Sequence, residues 1–131
     1  MVREEARDWY EGALVDLEEA RSALENGRYN WALFAAHQAV EKALKAAHIA
    51  MRRSRPPRTH DLTRLLSELG LDLPEDLRVG VSELTPYYTV ARYPNAGFER
   101  PWESIERSVA ERLVKVAEEV VDYVGRRAGL K

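Results

Sequence analysis

Arginine and histidine are concentrated in one short stretch, where residues 52–60 hold four arginines and a histidine. Arginine side chains bind phosphate through paired hydrogen bonds, and the free N–H groups at the start of a following helix would add to such a site. Arg58 and Thr59 are therefore candidate phosphate ligands. A structural alternative remains open, because basic side chains are favoured at the end of a helix and proline-rich loops are commonly solvated.

A second candidate lies in residues 85–97, which mix aromatic residues with prolines and a glycine. Tyr88 and Tyr93 could stack on a nucleobase while Arg92 binds a phosphate. The alternative is that the tyrosines close one end of the protein and Arg92 binds carbonyl groups of the loop. The sequence predicts a long, partly ordered loop here, and such loops are often functional.

The remaining polar residues give weaker indications. His37 shares a helix face with apolar residues, so it is either a hydrogen-bonded core or interface group or a neighbour of His60 in a cleft. His48 is expected on an exposed face, and Glu41 is expected to pair with Lys45 at the surface. The histidines lack the spacing of metal ligands and the chain has no cysteine, so no metal site and no cofactor is predicted.

These side chains must be positioned by helices, and the longest predicted helix runs from Tyr29 to about Arg52. It contains no glycine or proline, and its apolar residues recur every three or four positions. A row of alanines runs beside them, so we predict that this helix is central and packs against more than one partner. The apolar row consists of Tyr29, Leu33, Ala36, Val40, Leu44, Ala47 and Met51.

The rest of the chain predicts further helices. A helix over about residues 3–25 ends at Gly27, and so short a turn should make the next helix antiparallel. Thr59 is the expected N-cap of a short helix, Pro74 can begin another, and a final long helix follows Pro101. The predicted fold is all-α: an antiparallel up-down four-helix bundle with one or two extra short helices before the last.

Length and composition limit the function. The 131 residues suit a single domain, 1–131, with an adequate core, and the absence of cysteine favours the cytoplasm. A net charge of −2 argues against general coating of nucleic acid, so any such contact must be local. No apolar run could span a membrane. Abundant arginine and glutamate favour a thermophilic source, and broad apolar faces on the long helices predict a homodimer.

Several segments resemble, in order, those of prokaryotic HEPN domains, which are small helical domains named for nucleotide binding. They are the turn Gly27–Tyr29, the helix Ala35–Ala46, Thr59–Leu62 and Arg92–Pro94. The resemblance implies a dimeric bundle that binds a nucleotide or an RNA phosphate. It also implies a separate nucleotidyltransferase partner, with the chain as accessory subunit or as toxin of a toxin–antitoxin pair. The implied binding residues are His37, Lys42, Arg58, Thr59, Tyr88, Arg92 and Tyr93.

The resemblance also implies a candidate reaction. Arg55 and His60 have the spacing that catalytic HEPN ribonucleases use, in which histidine transfers a proton and arginine stabilises the charge on the phosphorane. This chemistry needs no metal ion. Metal-independent RNA cleavage is therefore the enzymatic alternative, and a bundle that binds only proteins is the third.

Overall fold

The computed structural model describes residues 2–131, and every regular element in that range is helical. The predicted all-α bundle is confirmed. Three long helices carry most of the core, and four short ones lie between the second and third of these. The helices are α1 (Val2–Glu25), α2 (Tyr29–Arg52), α3 (Leu62–Leu69), α4 (Glu75–Leu84), α5 (Tyr87–Val90), α6 (Pro101–Ser104) and α7 (Arg107–Arg127).

Helix α2 is central, as predicted, since fifteen of its 24 residues are buried. Its alanines are small enough to let α1, α3 and α7 approach closely on different sides. Met51 departs from the prediction because its side chain is exposed in the last turn of α2. A row of residues spaced by threes and fours drifts slowly around a straight helix, so the two ends of a long row do not face the same neighbours.

Helix α1 packs along α2 through a row of buried residues spaced by threes and fours, and the Gly27 turn joins the two helices. Gly27 has a φ of +76°, and the Arg28 amide donates to the Ala23 carbonyl, so the chain reverses within a few residues. On the α7 side, the buried Tyr10 hydroxyl donates to the Val121 carbonyl at 2.9 Å. This bond ties α1 to α7 across the core.

Helix α3 begins later than predicted, because its N-cap is Asp61 and not Thr59. The Asp61 carboxylate accepts from the backbone amides of Thr63 and Arg64. The hydroxyl of Thr59 is already occupied by the Asp61 amide, at 3.1 Å. The hydrogen bond from the Thr63 hydroxyl is the main reason why the pKa of Asp61 is lowered.

The segment after α4 is more helical than predicted. The expected loop over residues 85–97 contains the single turn α5, which Pro86 starts with a φ of −67°. The final helix begins at Arg107, because Ile105 takes an extended conformation, with a ψ of 120°, between α6 and α7. These turns bring residues 87–93 against the side of α2.

The apolar faces of α2 and α7 are largely covered within the chain, which removes one basis for the predicted dimer. The large exposed apolar side chains of the long helices are instead Val2, Leu14 and Val15 on α1 and Trp31 and Met51 on α2. The dimer itself stays a prediction. Within residues 2–131, no helix has the length and apolar character needed to cross a membrane.

Candidate functional site

His60 lies just before α3 and is held by three contacts with two other helices. Its Nδ1 donates to Oε1 of Glu41 at 2.9 Å, and its backbone carbonyl accepts from Nε2 of His37 at 3.0 Å. Its ring stacks on Tyr88 of α5, with centroids 3.9 Å apart and planes 10° from parallel. The orientation of the imidazole is therefore fixed by α2 on one side and α5 on another.

The bond to Glu41 determines which ring nitrogen of His60 faces outward. A carboxylate only accepts hydrogen bonds, so the proton is on Nδ1 and Nε2 is left for other partners. The His60 side chain is 50% exposed, and Nε2 makes no hydrogen bond within residues 2–131. A histidine oriented by a carboxylate, with its other nitrogen accessible, can accept or deliver a proton.

Glu41 is expected at the surface from its sequence position but is only 5% exposed. Its predicted pairing with Lys45 is confirmed, because Oε2 accepts from Nζ at 3.0 Å. The other oxygen, Oε1, accepts from His60. Spacing on α2 could indicate the Lys45 pair, but it carries no information about His60, which lies 19 positions further along the chain.

His37 is completely buried beneath His60. Its Nε2 donates to the His60 carbonyl, and its Nδ1 lies 3.3 Å from the side-chain oxygen of Gln38. In the neutral ring Nδ1 carries a lone pair, so the Gln38 amide must turn for its NH₂ group to donate to it. Burial lowers the pKa of His37, and the nearby Glu41 carboxylate only partly opposes this effect. A neutral, inaccessible His37 positions His60, which corrects the prediction that His37 binds the ligand itself.

Arg92 is enclosed by aromatic rings next to His60. Its guanidinium carbon lies 4.7 Å from the ring centroid of Phe34, 4.5 Å from that of Tyr88 and 4.9 Å from that of Tyr93. Its Nε donates to the Tyr88 carbonyl at 2.7 Å, so the predicted loop contact exists. Within residues 2–131 the terminal guanidinium nitrogens make no hydrogen bond and remain available. We call His60, Tyr88, Arg92, Phe34 and Tyr93 the His60 cluster.

Lys42, a predicted binding residue, does not reach this cluster. Lys42 lies one position after Glu41, about 100° further around α2, and faces α1. There its Nζ is 2.9 Å from Oδ2 of Asp16, and its chain passes over Gly12. Arg58 is exposed. The structure gives Lys42 a structural ion pair in place of the predicted ligand contact.

Arg55, the predicted catalytic partner of His60, is also placed elsewhere. At the end of α2, Arg53 has a φ of +53°, and the chain turns toward the start of α1. Arg55 lines a shallow cavity there with Val2, Glu5 and Ile49. Within residues 2–131 it makes no hydrogen bond, ion pair or ring contact with the His60 cluster, whereas Arg92 lies against three of its rings.

The third histidine, His48, corrects a prediction, because it is buried and not exposed. Its Nε2 lies 3.2 Å from the hydroxyl of Ser54, a contact that secures the end of α2. No group of three potential metal ligands occurs among residues 2–131.

Comparison with known proteins points to one family. The family model described as HEPN domain matches residues 6–127. The chain is 38% identical to TT1696 from Thermus thermophilus, whose structure superimposes with a TM-score of 0.84 over 93% of this chain and 97% of that one. No curated protein matches significantly.

Two further solved structures agree. ST0689, described as an archaeal HEPN homologue, is 30% identical, with a TM-score of 0.80 over 95% of this chain and 98% of that one. A HEPN domain protein (tm0613) from Thermotoga maritima is 28% identical, with a TM-score of 0.72 over 93% and 98% of the two chains. All three similarities extend over almost the full length of this chain.

Proposed function

This chain belongs to the HEPN domain family, and we propose that it binds a nucleotide or an RNA phosphate at the His60 cluster. One observation carries the proposal: Arg92 has unused guanidinium nitrogens beside accessible aromatic rings and the free edge of His60. A phosphate needs the free guanidinium nitrogens, and a nucleobase needs the aromatic rings.

The geometry favours a local site over a broad basic surface. Three rings and the Tyr88 carbonyl hold the Arg92 guanidinium, so little freedom remains to be lost when an anion binds. Tyr93 is 52% exposed and offers a free face for a base. A binding site that uses a single arginine is compatible with the net charge of −2.

Calorimetric titration with AMP, ATP and inorganic phosphate tests the proposal. Arg92→Gln should weaken AMP binding about 10- to 150-fold, the equivalent of losing hydrogen bonds to a charged group. Arg100→Gln is the matched control, because Arg100 also lies over an aromatic ring, that of Trp102 at 5.7 Å, away from the His60 cluster. Equal affinity in the Arg92 variant and the parent would remove the cluster as the binding site.

The Glu41–His60 bond favours a second candidate function, metal-independent RNA cleavage. In this reaction, Nε2 of His60 takes the proton of a ribose 2′-hydroxyl, and the 2′ oxygen attacks the adjacent phosphorus. The bond to the 5′ oxygen breaks, and the imidazolium returns the proton to that oxygen. Arg92 would stabilise the charge on the phosphorane, the role that the sequence resemblance gives to Arg55.

Incubation of the protein with RNA in EDTA tests this candidate. Cleavage that persists under chelation and disappears in His60→Ala would support it. Comparison of Arg92→Gln with Arg55→Gln then identifies the arginine that stabilises the phosphorane. The geometry favours loss of RNA cleavage in Arg92→Gln and not in Arg55→Gln. If the parent leaves RNA intact, the protein is a binding module, and if it also binds no nucleotide, it is an interaction bundle.

The family further suggests a nucleotidyltransferase partner, with this chain as accessory subunit or toxin, and a homodimer. Leu14 and Val15 on α1 offer exposed apolar surface for assembly. Co-purification with the product of an adjacent gene tests the nucleotidyltransferase partner. Sedimentation at about micromolar concentration tests the homodimer, and a monomer would contradict it.

A further inference from the structure

We infer that the ligand is a single-stranded oligonucleotide and that Trp31 holds a second base beyond the His60 cluster. This inference rests on the proposed function, since it assumes that a nucleotide phosphate binds Arg92. It adds a distinct stacking position and thereby specifies the class of ligand.

Trp31 extends the aromatic surface of the cluster along α2. It lies one turn before Phe34, and the two rings meet edge to face at 5.9 Å and 86°. Phe34 is 6.0 Å from Tyr88 and carries the Arg92 guanidinium at 4.7 Å. A continuous strip of rings therefore runs from Trp31 to His60, with the positive charge in its middle.

The Trp31 end of the strip is fixed relative to Arg92. The next residue back, Asn30, is only 6% exposed, and its side-chain amide donates to the carbonyl of Ala91 at 3.2 Å. Ala91 directly precedes Arg92. Asn30 thus ties the first turn of α2 to the backbone that carries the guanidinium. The ring of Trp31 and the guanidinium of Arg92 therefore keep a constant separation.

Trp31 is suited to contact something other than the protein itself. Its side chain is 48% exposed although it is among the largest apolar groups of the chain. Within residues 2–131 it has a ring contact with Phe34 and none with Tyr88. A mononucleotide bound at Arg92 and Tyr93 would leave Trp31 uncovered, whereas the next base of a strand could stack on it. Because stacking requires an unpaired base, the strand is single.

Fluorescence anisotropy with labelled oligouridylate and oligodeoxythymidylate of about six nucleotides, beside calorimetry with AMP, tests this inference. Trp31→Ala should weaken binding of at least one oligonucleotide about 5- to 150-fold, the range for loss of one base–aromatic stack, and leave AMP affinity unchanged. Trp31→Phe should retain most of the affinity. Trp102→Ala is the matched control, since Trp102 is 51% exposed and its ring lies against Arg100.

The outcomes separate this inference from the proposed function. If Trp31→Ala binds all ligands like the parent while Arg92→Gln binds none, the second stacking position is refuted and the phosphate site stands. If Trp31→Ala weakens AMP as much as the oligonucleotides, there is one position and not two. If the parent binds none of these ligands, both proposals are refuted. Comparison of the two oligonucleotides decides whether the strand is RNA or DNA.

Discussion

Replacement of Glu41 by glutamine removes a negative charge and almost nothing else. Glu41 sits on α2 with its two oxygens bonded to His60 at 2.9 Å and Lys45 at 3.0 Å. A glutamine has the same shape, but it offers one oxygen acceptor and one N–H donor. If the amide N–H faces Lys45, the ammonium loses its partner. If it faces His60, the imidazole keeps a hydrogen bond only by moving its proton from Nδ1 to Nε2.

The expected loss of stability follows from how these groups are buried. Hydrogen bonds to a charged group contribute about 1.5–3 kcal/mol each, and removal of one member of a fully buried ion pair costs about 3–5 kcal/mol. The side chain of Lys45 is 11% exposed and that of His60 is 50% exposed, so neither of these two partners of Glu41 is fully cut off from water. We expect Glu41→Gln to lower the free energy of unfolding by about 2–3 kcal/mol.

Urea denaturation near neutral pH measures this change, provided that the dependence of the free energy on urea stays the same in both proteins. The control is Glu118→Gln. Glu118 pairs with Arg21 at 2.6 Å, but the two side chains are 34% and 48% exposed, so loss of this pair should cost no more than about 1 kcal/mol. The ¹⁵N shifts of the His60 imidazole provide a second measurement, because the parent should hold its proton on Nδ1.

Equal losses in Glu41→Gln and Glu118→Gln would show that the Glu41 carboxylate is effectively solvated. An unchanged proton position in His60 would show that Glu41 does not fix the orientation of the ring. Either result would refute the conclusion that this buried carboxylate organises the site.

Three other changes test the packing, the helix start and the protonation state. Gly125→Ala would place a Cβ in steric conflict with the Tyr10 hydroxyl and should lower the free energy of unfolding by about 1–3 kcal/mol in urea denaturation. In the control, Gly12→Ala, the new Cβ meets only a flexible lysine chain at 3.3 Å and should not destabilise the protein. Asp61→Ala removes the N-cap of α3 and should lower the free energy of unfolding by about 1 kcal/mol at neutral pH, less at a pH below the lowered pKa of Asp61. The parent should gain stability as pH rises from the lowered pKa of His37 to about 6.5, since only the unfolded chain binds that proton in this range. His37→Gln should remove that part of the slope, at most about 1.4 kcal/mol per pH unit, in urea midpoints measured at several pH values.

The long helices could be predicted from sequence because their apolar rows are local and continuous. The start of α3 could not, because Thr59 and Asp61 are both suitable N-caps two positions apart. A residue at the end of α4 favours Asp61 as the N-cap, because the hydroxyl of Thr85 accepts from the amide of Leu62, the first residue of α3, at 2.8 Å. A partner 23 positions away leaves no local pattern in the sequence.

The site was predictable only in part. Family resemblance implied Tyr88 and Arg92 as binding residues and His60 as a catalytic one, and the structure places these three in contact. Spacing along the chain did not reveal that Lys42 faces α1 or that Arg55 turns away after two further residues of irregular backbone. The direction of a side chain around its helix depends on which neighbours cover that helix.

Glu41 shows how a residue can be correctly paired by sequence and still be misjudged. Its bond to Lys45 is the expected one, but burial changes its consequence, because a carboxylate away from water is costly unless every oxygen has a donor. His60 supplies the second donor. The interaction that orients the imidazole therefore also stabilises the fold, so His60→Ala should destabilise the protein as well as alter its ligand binding. Activity in variants of either residue must be compared at equal folded fraction before a loss is attributed to chemistry.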